Sequence, residues 1–168
     1  MQLKRPFLLL FPLAALLLAQ CRQSAKPENA EEESVVLSQE LPGTWESILV
    51  RVEVSTAENT DSSYVFEVRE EEWLERTGMQ PIKAYFQPNN QYRQVFTAGN
   101  DTVISEARGL WNTFSDTLMM IEPNATYQYV VKIDKGLAEF RTMLDWDGDG
   151  VKDDSYLGVH RKISSTAE

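Results

Sequence analysis

The chain is predicted to be all-β: an eight-stranded antiparallel up-and-down barrel. Three observations predict it. Apolar residues alternate with polar ones at a period of two over most of residues 41–163. Turn-forming clusters punctuate that alternation, Pro88-Asn89-Asn90 and Asp134-Lys135-Gly136 above all, where Asn and Gly tolerate left-handed backbone. No repeated strand–helix–strand unit is present. Short connections favour antiparallel neighbours, and closing the sheet on itself protects its edges.

The elements follow in order. Ile48, Val50, Val52 and Val54 alternate with Leu49, Arg51 and Glu53. Tyr64, Phe66 and Val68 repeat the pattern, as do Ile82, Ala84 and Phe86 after Pro81. Tyr92, Gln94 and Phe96 follow the Asn89-Asn90 turn, and Leu118 to Ile121 gives a short strand. Tyr127, Tyr129, Val131 and Ile133 form the next, then Leu137 to Leu144, then Tyr156 to Ile163. The exception is the acidic stretch Glu70 to Arg76. It reads as a short helical or irregular segment near residues 70–77 that covers a barrel end and stops at Gly78.

Upstream of the barrel the composition changes twice. Lys4 and Arg5 precede an apolar run from Phe7 to Ala19, shorter than the roughly 20 residues that cross a bilayer as a helix. A basic start, a short apolar core and small residues are the anatomy of a secretory signal. Leu18-Ala19-Gln20 then leads into Cys21, the only cysteine. The arrangement resembles a bacterial lipoprotein signal, which implies that residues 1–20 are removed and that Cys21 carries lipid. One exported cysteine has no internal disulfide partner, and acylation would resolve its free thiol. Residues 21–40 carry Glu28, Glu31, Glu32 and Glu33 without a sustained apolar pattern, so they read as a lipidated acidic tether. Residues 41–168 are the barrel domain. The formal charge is −10 with the basic signal included, which excludes nucleic acid as a partner because that needs clustered Lys and Arg.

Leu41-Pro42-Gly43-Thr44-Trp45 resembles the Gly-x-Trp opening of lipocalin-like domains. Gly109-Leu110-Trp111 followed by Asp116-Thr117-Leu118 resembles a later pattern in bacterial lipocalin-like lipoproteins. The resemblance implies the eight-stranded barrel, with Trp45 packed across its bottom and Trp45 and Trp111 as fold anchors. Many such domains hold a small apolar ligand at the open end. Phe66, Phe86, Phe96, Tyr127 and Tyr129 are then candidates for the cavity wall, and packing of a filled barrel explains them equally well.

Asp145-Trp146-Asp147-Gly148-Asp149-Gly150 carries the clearest chemistry. Alternating aspartates closed by glycine resemble the start of an EF-hand calcium loop. Calcium takes several oxygens at roughly 2.3–2.6 Å. Asp145, Asp147 and Asp149 would supply carboxylates, Val151 a backbone carbonyl, and Asp153 or Asp154 a further carboxylate or a held water. Tyr156 stands where an EF hand has its bidentate Glu, and the flanks read as strands. The reading is a calcium-stabilised β-hairpin, against the alternative of a solvated polar turn.

No catalytic residues are assigned. The serines lack a nucleophile-elbow context, and His160, the sole histidine, sits in an alternating strand where a surface or structural role is expected. The sequence therefore predicts a membrane-anchored extracytoplasmic binding or accessory protein that takes a small apolar ligand or an envelope protein. The alternatives are a structural or interaction domain with a filled barrel, and an envelope hydrolase.

Overall fold

The computed structural model describes residues 37–167. Residues 37–40 are helical and lead into nine strands. These are β1 (Gly43–Val54), β2 (Tyr64–Arg69), β3 (Lys83–Phe86), β4 (Gln91–Thr97), β5 (Val103–Phe114), β6 (Thr117–Ile121), β7 (Thr126–Asp134), β8 (Leu137–Leu144) and β9 (Asp154–Ser164). Every pairing between them is antiparallel.

β1 closes the sheet. One edge of it pairs with β9 from Thr44 to Glu53. Its other edge pairs with β3 through Gly43–Glu46 and with β2 through Leu49–Val54. β1 and β3 to β9 thus form a closed eight-stranded ring, a lipocalin-like barrel, and β2 prolongs the β3 position along the upper half of β1. The acidic stretch lies between β2 and β3. It forms a 3-10 turn (Glu70–Glu72) and a short helix (Trp73–Thr77), ended by Gly78 at φ 70°. Trp73 anchors it by packing with Val50, Val52, Val54 and Val68.

The eight-stranded ring expected from the sequence is present, but the sheet holds nine strands and two of the expected elements differ. The segments at residues 64–68 and 82–86 share one position in the wall. β5 was not among the expected strands. Its first half pairs only with β4 and is exposed on both faces. In its second half, where burial does alternate, the exposed positions include Leu110 and Phe114, so the apolar residues do not mark the inner face. A second departure lies in β1. The register against β9 shifts between Ser47 and Leu49, which makes Ile48 an extra residue. The bulge lets Trp45 and Ser47 share the inner face with Val50, Val52 and Val54, although their numbers differ in parity.

The lower barrel is filled by side chains. Trp45, Phe86, Tyr92, Trp111, Leu118, Met120, Val131, Ala138 and Phe140 are all buried in one cluster. Leu37 and Leu41 belong to that cluster, so folded structure begins upstream of residue 41 and takes in residues that composition assigns to the tether. Trp45 Nε1 donates to the Leu41 carbonyl at 2.8 Å, and Trp111 Nε1 donates to the Gln87 carbonyl at 3.0 Å. Both tryptophans are buried in this cluster. Outside, Arg51–Glu67 and Arg161–Glu70 pairs mark a face made for water. The signal, Cys21 and nearly all of the tether lie outside the described residues.

Candidate metal site at the upper rim

The loop between β8 and β9 stands at the end of the barrel opposite Trp45. Leu144↔Asp154 is the last pair before it opens. Alternation along Asp145, Asp147 and Asp149 turns three carboxylates toward one centre. One oxygen from each lies within 4.8 Å of the others, and all three residues are half-buried. That span is about twice a calcium–oxygen distance of roughly 2.3–2.6 Å, so the donor set fits the ion.

The carboxylates are held by N–H groups. Asp147 accepts from Asp149 N at 3.2 Å and from Glu58 N at 2.6 Å. Asp149 accepts from Val151 N at 2.7 Å and from Asn59 N at 3.2 Å, while Asn59 Nδ2 donates to the Asp149 carbonyl. Asp145 Oδ2 accepts from Gly150 N at 3.0 Å. Its Oδ1 is buried with no partner among the described residues, an acceptor left free on one of the three clustered carboxylates.

The other expected ligands sit differently. Asp153 Oδ2 accepts from the Thr56 hydroxyl at 2.7 Å. Asp154 is 1 % exposed. Its Oδ2 accepts from Trp146 N at 2.6 Å and its Oδ1 has no partner among the described residues. Val151 contributes its N–H, and its side chain is exposed. The structure therefore brings Asp145, Asp147 and Asp149 together and sends Asp153 and Asp154 to other contacts.

Sequence reasoning missed the partner loop. Thr56, Glu58 and Asn59 lie between β1 and β2, roughly ninety residues from the aspartates they bind. Glu58 and Asn59 are both left-handed, at φ 53° and 57°, which aims consecutive N–H groups at the carboxylates. The only local signal is Asn59, a residue type that tolerates this geometry. Trp146 adds an aromatic contact, its ring 5.3 Å from Phe66 of β2.

The remaining candidates divide by position. Phe86 is buried and Tyr129 half-buried at a small interior space of about 30 Å³, which they line with Met120, Phe140, Tyr156 and His160. That is room for about one or two water molecules. Phe66 belongs to the upper core beside Trp73, Phe96 is half-buried on β4, and Tyr127 is exposed. The five residues do not enclose one cavity. His160 is buried, with Nδ1 at 3.2 Å from Ser47 Oγ and its ring 4.8 Å from Phe140. Burial pushes its pKa down to about 4. At neutral pH the imidazole is therefore uncharged, on the wall of that small interior space.

No protein-family model matches this chain, and no curated protein matches it.

Proposed function

We propose that this protein is a lipid-anchored, extracytoplasmic accessory protein of the bacterial cell envelope, lipocalin-like in kind, that works by binding rather than by catalysis. Cys21 carries the anchor and residues 21–36 give the barrel reach from the membrane. Acyl chains add about 0.8 kcal/mol per buried CH2, so two or more chains hold firmly. Calcium bound by Asp145, Asp147 and Asp149 orders the upper rim. The ion would offset the mutual repulsion of the three carboxylates and leave their N–H contacts to the β1–β2 loop in place.

The observation that carries the non-catalytic reading is the seclusion of Ser47 and His160. It is the one serine–histidine contact among the described residues, and it lies inside packed wall. The filled lower barrel favours a second reading within the first, in which an envelope protein is engaged through the outer faces. A space of about 30 Å³ does not admit a lipid or a fatty acid.

Two measurements test the proposal. Expression of the full chain in a bacterium fed labelled palmitate should give a labelled membrane protein, and Cys21→Ala should release it unlabelled. A wild-type chain that stays unlabelled and soluble overturns the anchor. Calcium should raise the melting temperature of the wild type and not that of the Asp147→Ala, Asp149→Ala double variant. Equal shifts in both would remove these aspartates from the site.

A further inference from the structure

The barrel wall is not continuous at its upper side. The β7–β8 ladder ends at Val130↔Arg141. Above that point β7 runs on to Thr126 paired with β6 alone, and β8 runs on to Leu144 paired with β9 alone. The two strands part and leave a recess of about 470 Å³ open to solvent. Gln128, Tyr129, Thr142, Met143 and Tyr156 are among its lining. Its size lies within the range that holds small organic ligands, roughly 300–1,000 Å³.

Tyr129 and Tyr156 also line the interior space of about 30 Å³ behind it. Their rings are therefore the partition between recess and interior. The ring centroids stand 6.0 Å apart at 60°, and Tyr129 meets Phe140 edge-on at 6.0 Å. Gly158 makes the arrangement possible, because a Cβ there would lie 2.6 Å from the Tyr156 hydroxyl. Both tyrosines are half-buried, and among the described residues neither hydroxyl has a protein hydrogen-bond partner, which leaves both free to donate into the recess. Phenols are protonated donors at neutral pH, and burial raises the pKa of both further, that of Tyr129 to about 12.

We propose that this recess is the mouth of a small-molecule site gated by Tyr129 and Tyr156, and that its ligand is a flat, uncharged aromatic compound bearing a hydrogen-bond acceptor. The rings swing on χ1 and χ2, the recess joins the interior space, and the phenols donate to the ligand's acceptor while Phe86, Met120 and Phe140 meet its face. The one cation in the lining, Arg141, is already paired with Glu139 at 2.8 Å, so no unpaired charge asks for an ionic ligand. The site needs neither the lipid nor the calcium of the preceding reading.

Methionine methyl groups report on both compartments, since Met143 lines the recess and Met120 the interior. Coumarin, a flat uncharged lactone, is the probe. Titrated into the full chain labelled with 13C-methyl methionine, it should shift Met143 and Met120 together and saturably. The Tyr129→Phe, Tyr156→Phe double variant, which keeps the rings and removes the donors, should bind roughly tenfold more weakly. Thr142→Trp, half-buried on β8 where its β7 edge is unpaired, should fill the recess and abolish the shifts while the melting temperature holds. Saturation of Met143 with Met120 unmoved would overturn the gate. Unchanged affinity in the double variant would overturn the role of the phenols, and no saturable shift would overturn the site.

Discussion

Ser47 and His160 face each other across the β1–β9 seam, Oγ to Nδ1 at 3.2 Å, with both side chains buried. The contact sits beside the bulge at Ile48, so it fixes the point where the inner face of β1 changes phase. It also gives the barrel a titratable group that burial keeps neutral.

That neutrality has a pH consequence. Above about pH 6.5 both the folded and the unfolded chain hold His160 uncharged, and it adds no pH dependence. Below that value the unfolded chain takes up a proton that the folded barrel refuses until pH is about 4. More protons bind the unfolded state, so stability falls as pH falls through this window, by on the order of 3 kcal/mol, and then levels off. Urea midpoints at pH 7 and pH 4.5 should fall less steeply in His160→Leu than in the wild type. Equal declines would mean that the imidazole titrates normally.

Two glycines should differ in what they tolerate. A Cβ on Gly109 would lie 2.1 Å from the Ile121 carbonyl oxygen, which is backbone and cannot yield without moving β6. A Cβ on Gly158 would meet the Tyr156 ring, which can turn. Gly109→Ala should therefore cost at least about 2 kcal/mol, and Gly158→Ala about half that or less. Denaturant unfolding of both variants checks the order, and the reverse order would contradict the packing described.

The two anchoring tryptophans also separate. Trp45→Phe leaves the Leu41 carbonyl, on a residue with no exposure, without its donor, at about 1–3 kcal/mol. Trp111→Phe leaves the Gln87 carbonyl, on a half-buried residue, still accepting from Asn90 N at 3.1 Å. Trp45→Phe should be the more destabilising in thermal unfolding.

Residues with strong alternation were legible before any coordinates. Ala84–Phe86 and Tyr129–Ile133 follow the period-two rule because one face meets a core and the other is more open to water, whereas Tyr64 and Tyr127 extend the sequence alternation at exposed positions. β5 was illegible because its first half has no buried face, and Gly109 interrupts what alternation remains. The Asp145–Asp149 loop was legible because alternating acids and glycines are a local pattern. Its clamp was not. Glu58 and Asn59 act through backbone N–H groups, which every residue carries, and only the fold brings them to Asp147 and Asp149. Tyr129 could be named as a wall residue, but its pairing with Tyr156 depends on where the β7–β8 ladder stops.

The clamp itself is testable without metal. The amides of Glu58 and Asn59 donate to aspartate side chains although their residues are exposed. In hydrogen exchange by NMR the Glu58 amide should be protected in the wild type and lose that protection in Asp147→Ala, Asp149→Ala, whereas Asn59 N, which also donates to the Thr56 carbonyl at 3.0 Å, should keep part of its own. Glu58 protection that persists would place that amide on another acceptor.

The account rests on β1 being paired on both edges at once. Cross-strand proton NOEs measured in one sample test it most directly. The closed barrel predicts contacts from β1 to β9, such as Val50 with Gly158, together with contacts from β1 to β3, such as Trp45 with Ala84. Either set without the other means an open sheet with no enclosed interior, and would contradict the account.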